Sequence, residues 1–169
     1  LIDSVGYLVD GALGSEENGQ ERMVTTPWFD HEISMTEAAE KGTRKVICEH
    51  STIGIVVTTD GSICDIPREK YLEPERRVIS ELKSIAKPFI VLLNSAQPQS
   101  AYARETAVWI EQEYGVKCLC TSCCQLHIAK NHKCANIKFI RHFTNRKITL
   151  NTGNCHSIIH VQRSFSGFL

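Results

Sequence analysis

The sequence predicts an α/β domain, a doubly wound parallel sheet, and three observations carry that reading. Short apolar runs alternate with longer stretches of helical period, the rhythm of βαβ units. Two of the runs, Ile53 to Val57 and Phe89 to Leu93, are almost continuously apolar, as strands buried on both faces are. The helical stretches between them carry caps and breakers at their ends. With 169 residues, the chain has room for one substantial core and little for a second.

Leu1 and Ile2 read as the end of a strand whose beginning is absent, and the first ten residues carry no basic leader of the kind a signal peptide has. Gly11 to Gln20, rich in Gly and Glu, reads as a mobile loop. Ser34 with Glu37 three residues on forms a capping box for a helix running to about Cys48. Thr52 to Thr58 follows as a buried strand, ending in the turn Asp60-Gly61-Ser62. Pro74 suits a first helical residue, and Val78, Leu82 and Ile85 recur at helical spacing down to the break at Pro88. Phe89 to Leu93 is the next strand, and Asn94 to Pro98 the polar loop after it. Ser100 caps a second helix with Ala103, Ala107, Ile110 and Tyr114 on one face, and Gly115 stops it. Val116 to Leu119 begins another strand, beyond which no sustained period is found.

Composition excludes some functions. Nineteen basic and nineteen acidic residues leave no net charge, hence no general field for nucleic acid or an anionic membrane. The longest apolar runs fall far short of the roughly 20 residues that span a bilayer. The balance hides a break, however. Up to Glu113 the chain carries nineteen acids and eleven basic residues, net −8, and the 56 residues after it carry eight basic residues and no acid. At ordinary frequencies about six acids belong there. Six of the eight cysteines also fall in this stretch: Cys118, Cys120, Cys123, Cys124, Cys134 and Cys155.

Asp3-Ser4-Val5-Gly6 is a DxxG motif placed straight after an apolar pair. In P-loop nucleotide hydrolases such an Asp at a strand end holds Mg²⁺ through water, and the Gly offers a backbone N–H to the γ-phosphate. The pattern fixes two residues only and equally describes a simple turn. Asn94 ends a strand where guanine-binding relatives of that fold carry an NKxD loop, but here the loop reads Asn94-Ser95-Ala96-Gln97. Replacement of the Lys and Asp argues against guanine selection. The alternative is a plain polar loop between strand and helix. Cys120-x-x-Cys123 with His127, His132 and Cys134 invites a zinc reading, yet Cys123 and Cys124 are adjacent and His132-x-Cys134 is too close for a second ligand pair. Unpatterned composition accounts for the cluster better than zinc or disulfides. Cys48 and Cys64 read as ordinary small buried residues, and Trp28-Phe29 as a packing anchor.

Leu1 to Tyr7 (LIDSVGY), Met23 to Met35 (MVTTPWFDHEISM), Thr36 to Gly61 (TEAAEKGTRKVICEHSTIGIVVTTDG) and Pro88 to Ser95 together resemble the stage IV sporulation protein A family, the morphogenetic ATPases of endospore-forming bacteria. The resemblance runs from residue 1 to about Leu119, and TPWFDHE and HSTIGIV are more specific than either nucleotide motif. It implies a partial P-loop NTPase of the translation-factor GTPase type that uses ATP and Mg²⁺. Such a protein hydrolyses ATP to polymerise with itself into the basement layer of the spore coat, in the mother-cell cytoplasm at the outer forespore membrane. The implied partners are further copies of itself, stage V sporulation protein M and other coat proteins, with no nucleic acid. Carried onto this chain, the resemblance makes Asp3 the catalytic Walker B residue and metal holder, Gly6 the DxxG glycine, and Asn94 and Ser95 the degenerate base loop.

The chain also departs from the family. It contains no GxxxxGK[ST] phosphate loop, which precedes the Walker B strand, so this stretch alone is expected not to hydrolyse ATP. Residues 1–119 correspond to the C-terminal part of the nucleotide-binding domain. Residues 120–169 form a cysteine-rich, acid-free tail that a reading-frame shift would explain, and that is expected to form no stable part of the domain. A different reading is an assembly module without catalysis that uses the same α/β surface.

Overall fold

The computed structural model describes residues 2–4, 6–12, 16–17, 19–51, 53–123 and 159–162. In chain order these form β1 (Ile2–Asp3), β2 (Glu16–Glu17), β3 (Gln20–Glu21), β4 (Met23–Val24), β5 (Ile33–Ser34) and α1 (Met35–Lys45). A π-helical turn (Val46–His50) leads to β6 (Ile53–Thr59), and a 3₁₀ turn (Arg68–Tyr71) leads to α2 (Leu72–Ser84). Then come β7 (Phe89–Asn94), α3 (Ala101–Tyr114), β8 (Cys118–Thr121) and β9 (Ile159–Gln162).

The main sheet has the order β1-β9-β6-β7-β8. β6, β7 and β8 are parallel, and β9 is antiparallel to both β1 and β6, so β1 runs in the direction of β6. The parallel crossovers through α2 and α3 step the same way across the sheet, and right-handed connections lay both helices on one face. Side-chain alternation agrees. Val56, Val91 and Leu93 enter the larger core cluster with Val78, Ile79 and Leu82 of α2, and with Ala107, Ile110 and Tyr114 of α3. Ile55, Ile90 and Leu92 form a smaller cluster, flanked by Val57 and Leu119. Among the described residues, α2 and α3 contribute to the larger cluster alone, one half of the expected doubly wound arrangement.

The expected caps are in place. The Ser34 hydroxyl accepts from the Glu37 N–H at 3.1 Å, and that of Ser100 from the Ala103 N–H at 3.1 Å. Gly115 ends α3 in the left-handed region at φ 59°.

Other details correct the sequence reading. Gly11 to Gln20 is not wholly loop, since β2 pairs with β3 as a short hairpin. The helix expected to reach Cys48 stops at Lys45 and widens into the π turn. Ile47, four residues after the buried Thr43, continues the buried face of the helix, and Cys48 beside it is exposed rather than buried. Trp28, expected to be a packing anchor, stays 47% exposed, with one edge of its indole against Gly42, where a Cβ would lie 3.1 Å from the ring. β8 starts at Cys118, two residues after the start expected at Val116, and runs to Thr121, and β9 lies within the acid-free stretch.

Candidate functional site

The carboxyl ends of β6, β7 and β8 are tied into one rim by side chains. The Asp60 carboxylate, 5% exposed, accepts at Oδ1 from the Ser62 N–H at 3.0 Å and from the Ser62 hydroxyl at 2.5 Å. The Ser62 Oγ in turn accepts from the Ala96 N–H at 2.9 Å, joining the β6 and β7 loops. Asn94 Oδ1 accepts from the Cys123 N–H at 2.8 Å, and the Ser95 N–H donates to the Thr121 carbonyl at 2.9 Å, joining β7 to β8. The Ser95 hydroxyl accepts from the Gln97 N–H at 3.0 Å. Cys120 Sγ lies 3.6 Å from the Pro98 carbonyl, and burial first, then the Asp60 carboxylate, pushes its thiol upward. Ser95 is completely buried, so its side chain shapes the loop from behind, while Ala96 and Gln97 are exposed.

A buried ion pair braces this rim from below. Arg68 Nη1 and Nη2 donate to Glu75 Oε2 and Oε1, each at 2.7 Å, and Nη1 also donates to Thr58 Oγ1 at 3.1 Å. Arg68 is 7% exposed and Glu75 not at all. The fork is bidentate, the geometry in which Arg and carboxylate pair most strongly. Gly61 permits the close approach: at φ 86° a Cβ there would meet the Arg68 N at 2.9 Å. Sequence reasoning missed this brace. Its only signal was an Arg and a Glu seven residues apart, straddling the start of a helix, which many exposed pairs share.

Asp3 stands apart from the rim. Among the described residues, β1 meets the sheet through β9 alone, with Asp3 opposite His160 and His160 opposite Ile55. Asp3 is thus level with Ile55, four residues short of the Thr59–Asn94 pair that ends the β6–β7 ladder. Three strand spacings across and four residues along put Asp3 roughly 20 Å from Asn94. The Gly6 N–H donates to the buried Thr43 Oγ1 at 2.9 Å.

Among the described residues, no three His, Cys, Asp or Glu side chains converge as a metal site. Cys124, His127, His132, Cys134 and Cys155 lie outside the described residues. Cys64 Sγ is 2.9 Å from Tyr71 Oη. Burial, and then the charges of Cys120, Glu75 and Glu111, pushes the Cys118 thiol up to about 12. A thiol held neutral in this way is a poor nucleophile near neutral pH.

The family described as "Stage IV sporulation protein A, ATPase domain" matches residues 1–141. This chain belongs to the stage IV sporulation protein A family. It is 51% identical over 119 residues to stage IV sporulation protein A of Clostridioides difficile (strain 630), covering 70% of this chain and 24% of that protein. It is 49% identical over 122 residues to the Bacillus subtilis (strain 168) protein, covering 72% and 25%, and 48% identical over 122 residues to that of Bacillus anthracis, again 72% and 25%. The chain spans about a quarter of the length of these relatives. No solved structure matches it significantly. Within the family's ATPase domain, then, this stretch supplies a three-stranded parallel sheet and the rim at its carboxyl end. No helix among the described residues is long and apolar enough to cross a membrane.

Proposed function

We propose that the chain is part of a sporulation ATPase whose hydrolysis of ATP, with Mg²⁺, drives its own assembly into the basement layer of the spore coat. The observation that carries the reading is the family's ATPase domain matched across residues 1–141, with an ordered loop at the carboxyl end of β7 where open α/β sheets bind their ligands. In this reading Asn94 and Ser95 hold the loop from behind and the exposed Ala96 and Gln97 face the base. Asp3 would hold the Mg²⁺ shell through water, and the Gly6 N–H, released from Thr43, would meet the terminal phosphate. Bound Mg²⁺ supplies neutralisation of the charge on the phosphate oxygens. The residues present fit the base end of a nucleotide better than its phosphate end, because no GxxxxGK[ST] sequence occurs in the chain. Hydrolysis is accordingly assigned to the full-length protein.

The same proposal includes assembly with further copies of itself, contact with stage V sporulation protein M and other coat proteins, and peripheral attachment to the outer forespore membrane from the mother-cell cytoplasm. A second reading, an assembly module without catalysis, draws support from the separation of Asp3 from Asn94 and from the Gly6 N–H already paired with Thr43. The test is Asp3→Asn in the full-length protein. An amide still hydrogen-bonds but carries no charge to hold the metal shell, so Mg²⁺-dependent ATP turnover should fall at least 10-fold, on the order of magnitude of a lost metal ligand, with the fold retained. Unchanged turnover removes the role given to Asp3, and polymerisation unaffected by the loss of turnover favours the assembly module.

A further inference from the structure

The hydrogen-bond chain from Asp60 to Ala96 has a direction. Ser62 has one hydroxyl proton, and it is committed to Asp60 Oδ1 at 2.5 Å. The Ser62 N–H donates to the same oxygen at 3.0 Å, which fixes the side chain from both ends. The oxygen of Ser62 is left to accept, and what it accepts is the Ala96 N–H at 2.9 Å. Ala96 is one of two consecutive exposed residues in the loop, the other being Gln97. On the opposite side Ser95 anchors that loop twice, through its N–H to the Thr121 carbonyl and through its hydroxyl to the Gln97 N–H. The exposed pair is therefore gripped from β8 through Ser95 and from β6 through Ser62. Only the second grip comes from a side chain outside the loop's own strand and helix.

We infer that Ser62, oriented by the buried Asp60, is a positioning residue for nucleotide binding, which holds the Ala96-Gln97 pair in the one geometry that meets the base of an adenine nucleotide. The inference rests on the reading that this rim takes the base end of ATP. Its chemistry suits that ligand. The Gln97 carboxamide both donates and accepts, the combination an adenine edge demands with its amino donor beside a ring-nitrogen acceptor. A swinging loop would have to be ordered each time nucleotide binds, and a loop already fixed by Ser62 avoids that loss of affinity. Ser62 touches no reacting atom in this account. Its removal is expected to weaken binding and leave the chemical step alone.

The experiment measures ATP binding and turnover in the full-length protein as wild type, Ser62→Ala and Ser62→Thr, with amide hydrogen exchange followed at Ala96 and along β7. Ser62→Ala is expected to raise Kd and KM for ATP about 3- to 10-fold, the range for loss of one hydrogen bond, with kcat within about twofold of wild type. Exchange at Ala96 should accelerate while β7 stays protected, and Ser62→Thr, which keeps the hydroxyl, should restore both affinity and protection. Unchanged affinity in Ser62→Ala overturns the inference while the nucleotide reading stands. So does a joint loss of kcat, affinity and β7 protection that threonine fails to rescue, since that describes a merely structural residue. Wild-type protein that binds no ATP overturns the nucleotide reading itself, and this inference with it.

Discussion

Between β6 and β7 the parallel ladder runs six residues, and between β7 and β8 four, each backed by side chains that cross from one strand end to the next. Between β1 and β9 an antiparallel ladder runs only two residues, Ile2 opposite Val161 and Asp3 opposite His160. The first region also rests on Arg68 and Glu75, and on α2 and α3 packed over Val56, Val91 and Leu93. For a motif residue this difference has a practical meaning. Asn94 stands at a level fixed by several independent contacts, whereas the level of Asp3 follows from the strand that happens to lie between β1 and β6.

The strongest way to break the first region is at its brace. Glu75→Gln leaves the Arg68 guanidinium buried without its charge partner, and a loss of about 3–5 kcal/mol is expected in urea unfolding. A loss below about 1 kcal/mol would show that the pair is incidental to the parallel strands. Next comes the loop. Ser95→Lys, one half of a restored guanine loop, forces an ammonium into a completely buried position, and about 2–3 kcal/mol should be lost. Adding Gln97→Asp should still not yield tight GTP binding, because the other polar groups of a guanine pocket would remain unmatched. Competition by GTP at the level of ATP would contradict that.

Alkaline pH sharpens the comparison further, since Cys118 and Tyr114, both pushed far upward, lie in the first region. Cys118 is pushed from its ordinary 9.0 to about 12 and Tyr114 from 10.0 to about 12, chiefly by burial in each case. In the unfolded chain both ionise near their ordinary values, so the unfolded state sheds protons first. Stability is full below pH 9 and drains away between pH 9 and 12. Urea midpoints measured across that interval should fall, and Cys118→Ala should make the fall shallower. The smallest effect on global unfolding belongs to the second region. Val161→Pro removes a ladder N–H in β9, with about 1 kcal/mol expected, yet amide exchange at Ile2 and Asp3 should rise sharply while β7 keeps its protection. Protection retained at Ile2 and Asp3 would show that β1 has support beyond β9.

Much of the parallel half is legible in the residues themselves. Buried strands show as unbroken apolar runs at Ile53 to Val57 and Phe89 to Leu93, and Ser34, Ser100 and Gly115 mark helix ends because capping is settled within a few residues of the chain. The π turn is not legible, since Val46 to His50 holds no Gly or Pro to announce a change of winding. Nor is β9: Ile159 to Gln162 pairs across more than a hundred residues of separation with Ile53 to Val56, and no local period announces such a partner. At the rim, Asn94 stands out as a strand-end residue. The roles of Asp60 and Ser62 depend on the β6 and β7 loops lying side by side, which follows from strand order alone.

The sequence by itself determined the element types of the parallel half, the caps, the family and the identity of the residues at the strand ends. These follow from periodicity and short-range hydrogen bonding, which act over a turn or two of chain. Only the tertiary structure decided the strand order, the grip of Ser62 on Ala96, the burial of Arg68 with Glu75, and the distance from Asp3 to Asn94. Each of these is a contact between segments far apart in sequence. Such contacts depend on register and packing, and a single strand's residues do not encode them.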